Sequence, residues 1–218
     1  RLCGVKQVDG ILADLGVSSH QFNVPERGFS TRFEGPLDMR MNAEAGTTAK
    51  EVLETYSEEQ LHRLFGIYGE VKNARTLART IVEKRARKPF ETIGEFKQAI
   101  SSCTPKGKEN KYLAQVFQAL RIEVNDEMKA LEEMLEQAAE VLKPGGRLVV
   151  ISYHSLEDRL VKNFIAKGKF FGEVEKDLFG NEIKPLEAVN RKPIVPSEQE
   201  LLENSRSRSA KLRIAEKR

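Results

Sequence analysis

Residues 126–152 read DEMKALEEMLEQAAEVLKPGGRLVVIS, and this stretch decides the fold class. From 126 to 142, apolar residues recur at the spacing of one helix face. The KPGG sequence at 143–146 predicts the end of that helix, because proline and glycine do not continue it. Residues 147–152, RLVVIS, then predict a buried strand. A helix, a tight turn and a buried strand in succession are typical of a layered α/β sheet.

A second buried strand is predicted near the start of the sequence. Residues 8–15, VDGILADL, form a short apolar run, and the polar turn LGVSS at 15–19 follows it. Residues 21–42 are rich in glycine, proline and arginine and show neither a helical nor a strand period. We expect a long ordered loop there, and loops of that length are usually functional.

Residues 47–125 are predicted to be helical throughout. Capping-box patterns occur at 48–51, 57–60 and 92–95, and apolar residues follow them at helical spacing. The predicted fold is therefore an α/β sheet interrupted by an all-helical subdomain. Its parts are a first segment of the core with a substrate loop at 1–42, a helical insertion at 43–125 and a second core segment at 126–218.

Composition excludes several classes of protein. No apolar run is long enough to span a membrane, and RLCGVKQVDG at the start lacks the apolar region of a signal peptide. Two cysteines, Cys3 and Cys103, argue against a disulfide framework and against a cysteine zinc cluster, and fit a reducing cytoplasm. Three histidines without ligand spacing predict no metal site.

Basic residues are clustered although the net charge is only +3. Residues 84–88, 106–111 and 205–218 are rich in lysine and arginine, which favours a polyanionic partner. Solvated helix ends and a charged tail would explain each patch equally well.

Polar clusters follow both predicted strands. Asp14 and the turn after it close the first strand, and SYHS at 152–155 closes the second. In open α/β sheets, ligands bind beyond the carboxyl ends of the strands. We therefore expect Asp14 and His154 to lie at a common pocket.

Five blocks of the sequence are similar, in order, to one known family. They are ADLGVSSHQ at 13–21, PERGFSTRFEGPLDMRMN at 25–42, VFQALRIEVNDE at 116–127, LKPGGRLVVISYHSLEDRLVK at 142–162 and SRSAKLRIAEK at 207–217. Together they resemble the ribosomal RNA small subunit methyltransferase H family over nearly the whole chain. The resemblance implies a Rossmann-like class I methyltransferase sheet, here partial, with an inserted helical domain. It also implies S-adenosylmethionine as cofactor and N4-methylation of a cytidine in the decoding region of bacterial 16S ribosomal RNA.

The sequence departs from the family pattern at its start. The family begins with a strand and a glycine-rich GGGGHS loop, followed by an acidic residue that contacts the cofactor ribose, and the sequence has neither. Two βαβ units, roughly 60–90 residues, are expected to be missing. The strand at 8–15 would then be an exposed apolar sheet edge. We expect this chain alone to be inactive or weakly active and to bind the cofactor weakly or not at all.

The resemblance implies that Asp14 and Gln21 contact the cofactor. Caps, turns and backbone hydrogen bonds are the structural alternatives for these two side chains. Ser18, with Ser19 and His20, is a candidate to face the cytosine. The exocyclic N4 is a poor nucleophile, so a group accepting its hydrogen would help the transfer. Asp14, Ser18 and His154 are the candidate catalytic residues.

His154 and Tyr153 allow two interpretations each. His154 can orient or deprotonate the base, or can simply hydrogen-bond its own loop. Tyr153 can stack on an extruded base, or can belong to the core. Ser155-x-x-Asp158 is interpreted as a helix cap.

Arginines are the remaining candidates for contacts with RNA. Of Arg27, Arg32 and Arg40, at least one is expected to contact phosphate or to hold the loop over the pocket. Phe29 and Phe33 are expected to pack. Weaker candidates for RNA contact lie in the tail: Arg206, Arg208, Lys211 and Arg213.

The predicted function is thus S-adenosylmethionine-dependent methylation of 16S ribosomal RNA by a cytoplasmic protein that acts on the small ribosomal subunit. The alternative is a non-catalytic RNA-binding or ribosome-assembly fragment, which calorimetry with S-adenosylmethionine would distinguish. A nucleotide-dependent oxidoreductase is disfavoured because no glycine-rich fingerprint is present. The sequence leaves a homodimer open.

Overall fold

The computed structural model describes residues 4–218, so Cys3 lies outside the described residues. The chain divides into two compact units. A sheet unit combines the residues up to Gly16 with Met128–Arg218, and a helical unit comprises Val17–Glu127. The helical unit thus interrupts the sheet unit in sequence. Residues 17–42 group with the helices, whereas the sequence assigned them to the first segment of the core.

The sheet unit contains both helices and strands. Its elements are β1 (Val8–Asp14), α7 (Glu127–Val141), β2 (Leu142–Ser152), α8 (Ser155–Lys167), β3 (Glu175–Lys176), β4 (Glu182–Ile183), β5 (Leu186–Ala188), α9 (Glu198–Glu203) and β6 (Lys211–Lys217). The main sheet has the strand order β1-β2-β6-β5, and β3 pairs with β4 in a separate hairpin. Strands β1 and β2 are parallel, while β6 is antiparallel to β2 and to β5. The predicted α/β class is confirmed.

The KPGG segment lies within strand β2 rather than before it. Leu142 pairs with Val8 and Arg147 pairs with Gly10, so the register shifts between the two pairs. Residues 143–146 form the irregular part, where Gly145 has a φ of 79°. The strand therefore begins five residues earlier than 147, because the distant Val8 offers Leu142 a partner that the local sequence does not reveal.

The core of the sheet unit lies between the sheet and its helices. Leu148 and Val150 alternate with less buried neighbours along β2, as expected for a strand with one covered face. Helices α7 and α8 cover this face with apolar side chains: Leu131, Leu135, Ala138, Leu160, Val161, Phe164 and Ile165. Strand β1 is an edge strand, and its Leu12 is 70% exposed. The predicted exposed apolar edge is therefore present in the described part of the chain.

The helical unit follows the predicted pattern. Its helices are α1 (Ser19–Asn23), α2 (Ala49–Thr55), α3 (Glu58–Ile67), α4 (Ala74–Arg85), α5 (Ile93–Ala99) and α6 (Glu109–Val124). They enclose a core of large buried side chains: Leu53, Leu61, Phe65, Leu77, Ile81, Phe96, Phe117 and Leu120. None of the described helices is both long and apolar enough to cross a lipid bilayer.

Two of the three predicted capping boxes are complete. Thr48 with Glu51, and Ser57 with Gln60, exchange the reciprocal side-chain-to-backbone hydrogen bonds. Thr92 caps α5 by accepting from the backbone N–H of Glu95, but no reciprocal bond is present. The Glu95 carboxylate accepts from the N–H of Glu91 instead.

Candidate active site

Two polar side chains meet where β1 and β2 end. The strands are parallel neighbours in which Asp14 pairs with Ile151, so their carboxyl ends lie side by side. The Tyr153 hydroxyl donates a 2.8 Å hydrogen bond to Oδ1 of Asp14. No described residue donates to the second oxygen, Oδ2, and Asp14 is exposed. The sheet unit thus presents a carboxylate with one oxygen fixed and the other open.

The Tyr153 hydroxyl is a hydrogen-bond donor at neutral pH. Burial raises the pKa of the Tyr153 hydroxyl to about 12, and the hydrogen bond and negative charge of Asp14 act in the same direction. The phenol stays neutral and keeps its proton directed at the carboxylate.

A buried glutamate holds the turn that carries Tyr153. Oε2 of Glu157 accepts from the backbone N–H groups of Tyr153 at 2.9 Å and His154 at 3.3 Å. Its side chain is only 3% exposed. A buried carboxylate that accepts two backbone bonds restricts the turn strongly, because charge-assisted hydrogen bonds are stronger than neutral ones.

His154 is the N-cap of helix α8. Its Nδ1 accepts from the backbone N–H of Glu157 at 3.4 Å, and its side chain is 8% exposed. Its Nε2 lies 3.1 Å from Oε1 of Glu157 but makes no well-aligned hydrogen bond with the described residues. Both ring nitrogens therefore face Glu157. The predicted Ser155–Asp158 cap is wrong, since the cap is His154 with Glu157.

Asp158 links helix α8 to strand β6. Its carboxylate accepts from Nε of Arg213 at 2.7 Å and from Nζ of Lys211 at 3.2 Å, which joins α8 to β6. Arg213 is only 12% exposed on its side chain, and Lys211 is 42% exposed. Both residues are predicted from the sequence as weaker candidates for RNA contact, and in the structure both make ion pairs with Asp158.

A cavity of about 380 Å³ opens beside the Tyr153 turn. It is lined by the turn, by one residue that precedes α9 and by the residues at the start of β6: Tyr153, His154, Ser155, Val195, Arg208, Ser209, Ala210 and Lys211. Arg208 is exposed here, and a cation on the wall of such a cavity suits a phosphate.

Ser18 and Gln21 belong to the helical unit, where they form the capping box of α1. The Ser18 hydroxyl accepts from the N–H of Gln21 at 3.2 Å, and Oε1 of Gln21 accepts from the N–H of Ser18 at 2.9 Å. These bonds use the acceptor oxygens. The hydroxyl proton of Ser18 and the amide N–H groups of Gln21 are not consumed by the cap.

The three loop arginines divide into two kinds. Arg27 donates to the carbonyls of Arg40 and Met41, each at 2.8 Å. Arg40 makes a bidentate pair with Asp38 at 2.8 and 2.7 Å. Both side chains hold the loop in shape. Arg32 is exposed and makes no ion pair with another described residue.

The two loop phenylalanines also differ. Phe29 is buried, as expected, and lies 5.8 Å from the Arg27 guanidinium. Phe33 is 42% exposed, so the packing role expected for it is only partial.

Two residues of this region were not identified from the sequence as site residues. The sequence does not indicate the role of Glu157, because histidine is an uncommon N-cap. An H-x-x-E pattern therefore does not predict a capping box. Asn125 closes the loop of the helical unit: its Oδ1 accepts from the N–H of Met41 at 2.6 Å, and its Nδ2 donates to the carbonyl of Met39 at 2.8 Å. The long sequence separation hid that contact.

Comparisons with known proteins agree with the resemblance seen in the sequence. Residues 2–218 match the MraW methylase family. The chain is 57% identical over 217 residues to the ribosomal RNA small subunit methyltransferase H of Cytophaga hutchinsonii, covering 100% of this chain and 72% of that protein. It is 60% identical over 211 residues to the protein of the same name from Parabacteroides distasonis, covering 97% and 69%. The match to the Flavobacterium johnsoniae protein of that name is 58% over 217 residues, covering 100% and 72%. The chain therefore belongs to the MraW methylase family, and the protein is a methyltransferase.

Proposed function

We propose that the protein transfers a methyl group from S-adenosylmethionine to N4 of a cytidine in the decoding region of the small-subunit ribosomal RNA. The observation that carries the proposal is the open carboxylate of Asp14, fixed by Tyr153 at the carboxyl ends of two parallel strands. Ligands of open α/β sheets bind at such ends. The names of the curated relatives support RNA of the small subunit as the substrate.

The residues present fit the proposed cofactor. S-adenosylmethionine, when bound, supplies a methyl group activated by a positively charged sulfur. It also carries hydroxyl and ammonium donors, which suit the open oxygen of Asp14.

The protein must also make the cytosine amine reactive. The N4 lone pair is delocalised into the ring, and a nearby acceptor for an N4 hydrogen localises it. We assign this catalytic role to Asp14. Both nitrogens of His154 face Glu157, so we assign His154 to orienting the turn.

Exposed cations hold the RNA. We place phosphate contacts at Arg208, which lines the cavity, and at the exposed Arg32. Arg27 and Arg40 act by holding the loop. The partner is the 16S RNA within the small ribosomal subunit, which places the protein in the cytoplasm.

Mass spectrometry of 16S RNA tests the proposal. RNA from a strain that lacks the complete gene is expected to lose one methyl group from one cytidine, and expression of the gene should restore it. An unchanged set of methylated cytidines would refute the assignment. If the strain instead lost a methyl group at another position of the RNA, only the assignment to N4 and to the decoding region would be refuted.

A further inference from the structure

We infer that Tyr153 is a positioning residue whose hydroxyl fixes the Asp14 carboxylate for methyl transfer. Because it acts through the carboxylate assigned above, this role rests on the proposed function. It differs from the stacking role considered from the sequence, which would use the face of the ring and not the hydroxyl.

Asp14 needs such support because of its place in the fold. It is the last residue of β1, and its side chain is exposed. An exposed aspartate on a strand end samples several rotamers. The 2.8 Å bond from Tyr153 selects one of them and leaves Oδ2 as the open oxygen. A carboxylate held before the reaction needs no reorganisation when charge changes beside it.

Tyr153 can only fix Asp14 if Tyr153 is itself fixed. The backbone N–H of Tyr153 donates to the buried Glu157 carboxylate at 2.9 Å. The next residue, His154, caps helix α8. The first turn of α8 is in turn joined to β6 by the ion pair of Asp158 with Arg213. The hydroxyl therefore projects from a turn anchored to a helix and to the sheet.

Glutamate at position 157 is informative because capping alone does not require a charge. Gln21 and Gln60 complete the boxes of α1 and α3 with a neutral amide oxygen. Burying a carboxylate is costly unless it is well hydrogen-bonded. At position 157 the carboxylate accepts two backbone bonds from the turn that carries Tyr153, so it supports this turn more firmly than an amide would.

The experiment compares Tyr153→Phe and Tyr153→Ala in the protein expressed from its complete gene. The assay measures transfer of labelled methyl from S-adenosylmethionine to small subunits from a strain lacking that gene. Tyr153→Phe keeps the ring and removes only the hydroxyl. We expect kcat to fall about tenfold or more, with the KM for the subunit changed less than about threefold.

Tyr56→Phe is the matched control. The Tyr56 hydroxyl also donates to a carboxylate, Oε1 of Glu123 at 2.6 Å, and burial raises its pKa to about 12 as well. Each variant loses one hydroxyl–carboxylate bond, and the Tyr56 bond is the shorter and more buried of the two, so the melting temperature should fall at least as far in Tyr56→Phe as in Tyr153→Phe. Only Tyr153→Phe should lose kcat.

A double-mutant comparison separates a positioning role from other effects. If the hydroxyl acts only through the carboxylate, Tyr153→Phe should cause no further loss of kcat in an Asp14→Ala background. An additive loss would overturn the inference. The inference would also be overturned if Tyr153→Phe were as active as the unmodified protein and only Tyr153→Ala had a raised KM. That result would favour a stacking role for the ring. An unmodified protein that methylates no cytidine would instead refute the proposed function.

Discussion

Asp158 in the first turn of α8 accepts a 2.7 Å hydrogen bond from the guanidinium of Arg213 on β6. The side chains of the two residues are 13% and 12% exposed, so the pair is largely shielded from water. It joins the helix that carries the Tyr153–His154 turn to the middle of the sheet. The stability of the sheet unit and the geometry of the site therefore depend on the same contact.

Asp158→Asn should destabilise the protein by about 2 kcal/mol, since it leaves a shielded arginine without its counter-charge. Chemical denaturation of the variant and of the unmodified protein measures the difference. Glu175→Gln is a suitable control, because its ion pair with Lys169 is exposed and should contribute less than about 1 kcal/mol.

The same contact should make stability depend on pH. Burial opposes ionisation of Asp158, but the hydrogen bonds from Arg213 and Lys211 outweigh it and lower its pKa. A carboxyl group with a lowered pKa in the folded state stabilises the fold above its unfolded pKa, near 3.9, and loses this contribution as the pH falls through the folded pKa. Denaturation between pH 3 and pH 6 should show a smaller decline in stability in Asp158→Asn than in the unmodified protein. Equal declines would contradict the assignment.

Glu157→Ala should destabilise the protein by about 2–3 kcal/mol, because two partly buried backbone N–H groups lose their acceptor. Glu157→Gln should cost less, about 1 kcal/mol, since a glutamine oxygen can still accept. Gln60 shows that an amide serves in such a box. Thermal melting of both variants gives the order, and Glu51→Gln in the exposed box of α2 is the control. The prediction fails if Glu157→Gln is as damaging as Glu157→Ala.

His154→Asn should keep the cap, because an asparagine oxygen can accept from the N–H of Glu157 as Nδ1 does. We expect methyl transfer to fall less than about tenfold, whereas loss of a general base costs about 100-fold or more. Single-turnover rates of this variant provide the test. A hundredfold loss of the single-turnover rate with an unchanged melting temperature would show that His154 takes part in the chemical step.

Arg32→Ala and Arg27→Ala should affect different properties. Arg32 is exposed, and its loss should weaken RNA binding severalfold, more at low salt, without lowering the melting temperature. Arg27 holds two loop carbonyls, so its loss should lower the melting temperature. Binding to small subunits at two salt concentrations, together with melting curves, distinguishes these effects. A stable Arg27→Ala protein would show that the loop needs no such support.

Much of the fold could be predicted from the sequence because its signals are local. The helices of the helical unit follow from a 3.6-residue apolar period, and the edge strand β1 from a short apolar run. The start of β2 was misplaced because Leu142 pairs with Val8, a contact that local sequence does not contain. The site was predicted only in outline. That Asp14 and the end of β2 meet follows from the geometry of parallel strands, but the hydroxyl–carboxylate bond of Tyr153 depends on side-chain placement.

The loop arginines illustrate the same limit. Arginine in a loop fits a phosphate contact and a carbonyl clamp equally well, and only the path of the loop decides between them. Arg27 and Arg40 prove to hold the loop, while Arg32 stays exposed. The same limit applies to His154, because the sequence does not reveal that its Nδ1 accepts from the backbone N–H of Glu157.

The pairing of Asp14 with Ile151 has a consequence for synthesis on the ribosome. Strand β1 leaves the exit tunnel before β2, its partner, which follows only after the whole of Val17–Glu127 has been translated. At bacterial elongation rates this delay is on the order of ten seconds. The helical unit, built from contacts close in sequence, can fold within that interval. A nascent chain would thus carry a folded helical unit while the apolar segment around Leu12 is still unpaired with β2. A chaperone would be most useful during this period.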